Sequence, residues 1–420
     1  MKPFLVTGLQ WGDEGKGKFI DFLGQKFDAT IRFNGGNNAG HTVVHNNTTL
    51  HLSLIPSSVL HQKTVLISQA VIINPQVLLK EIKLLRELNI KPKLGIDPRC
   101  HIVMPYHQAL DSASEIYKGK KKTGSLKLGI GFCYEDRTNR AGIRLIDLIN
   151  PRSLRKKINA IWNLKKKRVQ NAYQASFNLK KENIIKQYQQ YGKLLKPYIK
   201  DVSDFVNKNL HKKSFLLESA QGAYLDFAFG TYPYTVAYHT TSTSALTSIG
   251  LPPMSINVLG IVKAYTTRVG NGPFPTGLTN KTSNHLRNTG HEYGTVSKRP
   301  RRCGWLDLVL IKKAIEINGV NSIALTKLDV LSGLKQLKVC THYNLNNKTI
   351  NQLPLTHENI LKLKPQYITL SGWSENITQV KKFSNLPKNC QRYINFISKK
   401  IKIPLKYISI GPDRNQTIKL

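Results

Sequence analysis

Short apolar runs separated by glycine-rich polar stretches set the rhythm of this 420-residue chain. Phe4-Leu5-Val6 is the first run and predicts a short buried strand; Gly12-Asp13-Glu14-Gly15-Lys16-Gly17-Lys18 follows it. Phe19, Ile20, Phe22 and Leu23 then recur at helical spacing, so the opening reads strand, glycine loop, helix. A second helix is signalled by Asn74 as N-cap and Pro75 at the first helical position, with Leu78, Ile82 and Leu85 on one face. Residues 151–213 read mostly as helix. Beyond Pro252-Pro253 the alternation resumes, with a strand over Val258–Val262, a helix over Leu308–Ile317 and a strand over Ile323–Leu325. This order predicts an α/β fold, a central mostly parallel sheet flanked by helices with binding loops at the strand carboxyl ends. The expected organisation is a single domain over 1–420 with a helical insertion at about 151–213.

Composition adds a charge question. Hydrophobic residues make up 40% and charged residues 21%, which excludes wholesale disorder, but 63 Lys and Arg stand against 24 acids for a net charge of +39. Nucleic acid, an anionic membrane or phosphorylated ligands all fit that balance. The excess is densest in 151–213, where 17 Lys and Arg face three acids and Tyr173, Tyr188, Tyr191 and Tyr198 are interleaved. A basic nucleic-acid-binding protein would use such a pattern for base stacking. No nucleic-acid module accompanies it, and lysine stems on amphipathic helices need no partner. A nucleic-acid partner is therefore disfavoured. No apolar run approaches the roughly 18 residues of a membrane span, and Phe4-Leu5-Val6 is too short for the core of a signal peptide. Five scattered cysteines without a Cys-x-x-Cys pair argue for reduced thiols in a cytoplasmic protein, and zinc chemistry has no motif.

The glycine stretches carry the candidate chemistry. Gly12-x4-Gly17-Lys18 matches a phosphate-binding loop except that Phe19 stands where Ser or Thr should hold magnesium. Its glycines let backbone N–H groups approach phosphate oxygens, and the following helix presents its positive end. Asp13 and Glu14 would repel phosphate unless a cation bridges or an acid takes a substrate proton; equally, the loop is a solvated turn. A second stretch, Asn34-Gly35-Gly36-Asn37-Asn38-Ala39-Gly40-His41-Thr42, brings small polar residues and a His that alone is more often structural. In Thr326-Lys327-Leu328-Asp329 a carboxylate could accept the paired N–H groups of a guanine edge and reject adenine, or merely pair with Lys327 in an exposed turn. Arg299, Arg301 and Arg302 suit carboxylate binding or a solvated face.

Gln10-Trp11-Gly12-Asp13-Glu14-Gly15-Lys16-Gly17-Lys18 and Asn38-Ala39-Gly40-His41-Thr42 together resemble adenylosuccinate synthetase. Collinear stretches extend the likeness over nearly the whole chain, among them Tyr134-Glu135-Asp136, Gly230-Thr231-Tyr232-Pro233-Tyr234, Gly272-Pro273-Phe274-Pro275-Thr276, Gly304-Trp305-Leu306-Asp307 and Gly411-Pro412-Asp413-Arg414. The resemblance implies a GTP-dependent ligation of IMP to L-aspartate through a 6-phosphoryl intermediate. It implies Asp13 as the base that removes the IMP N1 proton, with His41, Lys16 and Gln221 completing the catalytic set. GTP would be held by Gly12, Gly15, Lys16, Gly17, Gly40, Thr42, Lys327, Asp329, Ser409 and Gly411. IMP would meet Asp13, Asn38, Gln221, Arg299 and, across a homodimer interface, Arg140. Aspartate would meet Ser297, Arg299 and Arg301, and one Mg²⁺ per subunit would take Asp13 and the backbone of Gly40 as ligands.

Several positions depart from the family pattern on the IMP and aspartate sides. Asn37 replaces a His, Ser68-Gln69-Ala70 stands for Gly-Asn-Gly, and Ser125-Leu126-Lys127-Leu128 for Thr-Thr-Gly-Arg. Val236 replaces a Thr, Gly277 a Glu and Lys298 a Gly. A working enzyme with a thinned phosphate cradle is the preferred expectation; the alternative is a drifted enzyme with an altered nucleotide substrate.

Overall fold

The computed structural model describes residues 2–45, 48–294 and 298–420. A nine-stranded sheet organises the chain: β1 Phe4–Gly8, β2 Ala29–Arg32, β3 Thr64–Ile67, β4 Lys93–Ile96, β5 Phe215–Glu218, β6 Asn257–Lys263, β7 Ser322–Thr326, β8 Leu405–Ser409 and β9 Thr417–Lys419. Their spatial order is β9-β8-β7-β6-β1-β5-β2-β3-β4. Every pairing is parallel except that of β8 with β9 at one edge. Helices cover both faces of such a sheet, which is why its strands are near-continuous apolar runs rather than alternating ones. Leu5, Val6, Leu216, Leu217, Leu259 and Ile261 are all fully buried. The predicted α/β class and parallel sheet are what the structure contains.

Helix α1, Lys16–Gly24, starts from Gly15, whose φ of +97° a side chain would strain, and buries Phe19, Ile20 and Leu23. In α2, Pro75–Glu87, the Asn74 side chain accepts from Gln76 N at 3.1 Å and Val77 N at 3.3 Å, satisfying two N–H groups that the helix leaves unpaired. Then come α3 Pro105–Tyr117 and α4 Ile130–Thr138.

The basic segment folds as α5 Pro151–Lys167, a π turn over Arg168–Ala172, α6 Lys181–Leu195 and α7 Val202–Asn209. Leu154, Ile158 and Trp162 of α5 face inward at helical spacing, while most lysines face solvent. Lys165 is the exception. It is buried and pairs with Asp136, whose other oxygen lies 2.9 Å from His107 Nε2. Tyr188, one of the tyrosines considered for base stacking, is buried and donates to Val103 O at 2.9 Å. Its ring is core, which removes one support of the nucleic-acid reading. Among the described residues no helix is long and apolar enough to cross a membrane.

Candidate active site

The carboxyl ends of the parallel strands lie along one edge of the sheet. From β1 springs the glycine loop; from β2 the Asn34–Thr42 stretch; from β5 Gln221; from β7 Lys327 and Asp329; from β8 Ser409 and Gly411. They open into one cavity of about 930 Å³. Asp13, Gly15, Lys16, Gly17, Asn38, Gly40, His41, Thr42, Gln221, Arg301, Lys327, Asp329, Ser409 and Gly411 all line it. Gly12 is beside it and packs on Gln221. Arg140 is exposed and outside this cavity, and Arg299 is exposed and hydrogen-bonded to the carbonyl of Gly124 at 3.1 Å. Ser297 lies outside the described residues.

The two acids of the glycine loop have opposite environments. Glu14 is fully buried and holds the loop together, accepting from Gln10 N at 3.0 Å, Gly12 N at 2.9 Å and Lys16 Nζ at 2.6 Å. Asp13 sits at a left-handed φ of 60°, partly exposed on the cavity wall, with Oδ2 2.8 Å from Arg301 Nε. The phosphate repulsion expected of two loop acids thus falls to Asp13 alone, since Glu14 is spent inside the turn.

His41 is buried and fixed from several sides. Its Nδ1 lies 2.7 Å from Glu218 Oε1 and 3.1 Å from Ser57 Oγ, while Arg32 Nη1 approaches Nε2 at 2.7 Å. A carboxylate at Nδ1 assigns the proton there, leaving Nε2 to accept from Arg32. Ser57 adds its backbone N–H and hydroxyl to Glu218 at 3.0 and 2.9 Å. Burial alone would push the Glu218 carboxyl up, but His41 and Arg32 hold it below its ordinary range. Burial lowers His41.

A second hub centres on Glu292. Its carboxylate meets Lys263 at 2.9 Å, Lys327 at 3.0 Å and Arg301 at 2.6 Å, and accepts from Tyr265. Three cations keep it well below the usual carboxylate range despite complete burial. With its ammonium tied to Glu292 and Gly290 O, Lys327 presents its aliphatic stem to the cavity. Asp329 Oδ1 is buried without a hydrogen-bond partner among the described residues, the situation of an acceptor built for a donor outside the chain.

Metal binding is tested by the donor set. Among the described residues no three His, Cys, Asp or Glu gather as a cage. The Asp13 carboxylate and the backbone of Gly40 face the same cavity. Few protein oxygens beside phosphate oxygens suit Mg²⁺, which keeps substrate and water ligands. The residues fit.

The family model described as adenylosuccinate synthetase matches residues 5–418. The chain belongs to that family. It is 44% identical over 417 residues to adenylosuccinate synthetase 1 of Photorhabdus laumondii, covering 98% of each chain. It is 43% identical to the Caldanaerobacter subterraneus enzyme, covering 100% of this chain and 99% of that one. The fully ligated adenylosuccinate synthetase of Plasmodium falciparum superposes with a TM-score of 0.94 at 37% identity, covering 100% of both chains. A cyanophage S-2L succinoaminodeoxyadenylate synthetase, 18% identical with a TM-score of 0.63, shares the fold.

Of the departures from the family pattern, Ser125, Leu126, Leu128, Val236 and Lys298 line the cavity, whereas Asn37, Ser68-Gln69-Ala70 and Gly277 do not. Leu126 and Val236 both line the cavity, offering methyl groups where hydroxyls were expected. The neighbouring turn is pinned from behind. Glu115 accepts from Gly124 N at 2.8 Å and Ser125 N at 3.0 Å, and Asp111 from Ser125 Oγ and Gly129 N, each at 2.9 Å. Sequence reasoning passed over Glu218, Ser57, Arg32, Glu292, Asp111 and Glu115. For Glu218 a signal existed: an acid closing the apolar run Phe215-Leu216-Leu217.

Proposed function

We propose that this family member catalyses the GTP-dependent ligation of IMP and L-aspartate to adenylosuccinate, releasing GDP and phosphate. The observation that carries the reading is the convergence of Asp13, Lys16, His41 and Asp329 on one cavity at the sheet edge. Asp13 removes the N1 proton of IMP, so that O6 becomes nucleophilic enough to attack the γ-phosphorus. Lys16 serves the developing phosphoryl charge by turning from Glu14, and His41, held at Nδ1 by Glu218, serves the β-phosphate side of the breaking bond once its Nε2 leaves Arg32. Asp13 and the Gly40 backbone would hold Mg²⁺, which when bound neutralises phosphate charge. The aspartate amine then displaces phosphate from C6. Asp329 accepts hydrogen bonds from the N1–H and 2-amino N–H of guanine over the Lys327 stem.

Arg301 serves the aspartate carboxylate by turning from Asp13, which its ion pair holds in this structure. Its paired donors match a carboxylate better than a lysine would. Gln221 and Asn38 contact IMP, and Arg299 serves both IMP and aspartate by leaving the Gly124 carbonyl to which it donates in this structure. The protein acts as a cytoplasmic homodimer in which Arg140, exposed on its own chain, reaches the partner's IMP phosphate. We read the chain as one domain, with the helices of 151–213 as an accessory layer.

The test is a coupled assay with GTP, IMP, L-aspartate and Mg²⁺, run beside Asp13→Ala. Wild type should form adenylosuccinate, and the variant should lose about 10²–10⁴-fold in kcat, the scale of a general base. Wild-type protein that binds GTP yet forms no adenylosuccinate at high IMP refutes the reading.

A further inference from the structure

The lysine that closes Gly12-x4-Gly17-Lys18 has no part in the chemistry above. In phosphate loops of that pattern it reaches the β- and γ-phosphates. Here its ammonium ends elsewhere. Lys18 Nζ donates to Ser409 Oγ at 2.6 Å, Gly411 O at 2.7 Å and Gln416 O at 2.9 Å. Three donors meet three acceptors, all in the turn joining β8 to β9. Lys16, by contrast, stays within the glycine loop on Glu14. The β8–β9 turn is itself closed by Ile410 N to Gln416 O at 3.1 Å and by Asp413 N to Gln416 Oε1 at 3.0 Å. It abuts the turn after β7 through Leu328 N to Ser409 O at 3.3 Å, one residue before Asp329, whose Oδ1 is unpartnered among the described residues.

We propose that Lys18 is a positioning residue for guanine recognition, stapling the Ser409–Gln416 turn to the glycine-loop helix so that it faces Asp329 across the purine subsite. The inference rests on the ligase reading and on GTP as its co-substrate. Without the ammonium the turn would keep Ser409 Oγ to Gly411 O at 3.1 Å and, at its far end, the Arg414 Nε to Asp21 Oδ2 contact with α1 at 2.7 Å, but Ser409 and Gly411 at the purine end would lose their tie to that helix and drift from Asp329. Asp329 would then lose both its opposing wall and a nearby positive charge. Burial pushes Lys18 down to about 7, and the charges of Asp329 and Asp413 oppose that shift, consistent with an ammonium set among these acids.

The test compares GTP with ITP, which lacks the 2-amino group, in wild type and Lys18→Met of the full chain at saturating IMP and aspartate. The variant should show a GTP KM raised at least about tenfold, kcat within about threefold, and a GTP-over-ITP preference in kcat/KM reduced at least about threefold, the scale expected when hydrogen bonds to a charged group are lost. An unchanged preference overturns the proposal, whatever happens to KM. A large fall in kcat with the preference intact assigns Lys18 to the phosphates instead. If Lys18→Met does not fold by circular dichroism, Lys18→Arg takes its place, since a planar guanidinium cannot set one nitrogen against three acceptors, and the same readouts decide. If wild type turns over nothing, the ligase reading fails first. Calorimetric titration of GDP and IDP into wild type and variant then decides the role of Lys18 separately.

Discussion

Replacing Glu292 with Gln removes one negative charge from a point where three cations converge. The side chains of Lys263 and Arg301 are 1% and 7% exposed, so neither can recruit water in place of the lost carboxylate. Gln keeps one acceptor oxygen for Lys263 or Tyr265, but its amide nitrogen would meet a donor of Arg301. Breaking a buried pair costs about 3–5 kcal/mol, and Lys327, at 30% exposure, adds less than about 1 kcal/mol. With an unfolding entropy of about 2.1 cal/mol/K per residue, the 420 residues lose roughly 0.9 kcal/mol per degree, so Tm should fall by roughly 3–7 °C. Differential scanning calorimetry of both proteins in one buffer measures the shift. Because these charges are shielded from ions, 0.5 M salt should leave the difference in place. Kinetics should show the KM values for GTP and aspartate rising together, because Lys327 and Arg301 lean on the same carboxylate. A Glu292→Gln protein melting within about 1 °C of wild type with both KM values unchanged refutes this account.

Glu218→Gln should lower kcat by about 10–100-fold while the KM values for GTP and IMP move less than about threefold, because His41 loses the group that orients it; parallel KM increases would indicate a collapsed site instead. Leu126→Thr should lower the KM for IMP by about tenfold without changing that for GTP, by restoring a hydroxyl on the phosphate wall; steady-state kinetics showing no change in IMP KM would mean that this wall does not meet the phosphate. Asp307, buried as the N-cap of the helix Leu308–Asn318, has its carboxyl pushed by burial up to about 7. A folded-state value above the unfolded value of about 4 gives stability that is complete below pH 4 and lost as pH rises through about 7. Asp307→Asn removes that loss, so the difference in Tm between variant and wild type should move in the variant's favour from pH 5 to pH 8; a constant difference contradicts it.

The backbone was largely legible because its determinants are local. Leu5 and Val6 are buried on both sides of a parallel sheet, so a short apolar run sufficed to mark β1, and Asn74-Pro75 carried the start of α2 in two residues. The residues of the site were legible where the chemistry sits in a loop with glycine around it, as at Asp13 and His41. Glu292 and Asp111 were not. Each earns its place through partners far away in the chain or across a turn, such as Lys263 for Glu292, and a lone acid in a sequence window carries no mark of that pairing. The charge excess misled for a similar reason. Lysines facing water on α5 look the same in sequence as Lys165, which turns inward to Asp136.

The ammonium of Lys18 bridges residues up to 398 positions apart, and β1 is paired on one side with β5 and on the other with β6. During synthesis the glycine loop therefore emerges long before the segments that complete it. Strand β1 waits for residues 215–218 and 257–263 before it has neighbours, and the purine wall waits for Gln416. Domains built on such distant pairings fold slowly and expose unpaired edges meanwhile. A nascent chain released short of the β8–β9 turn would carry Asp13, His41 and Asp329, yet have no finished nucleotide pocket.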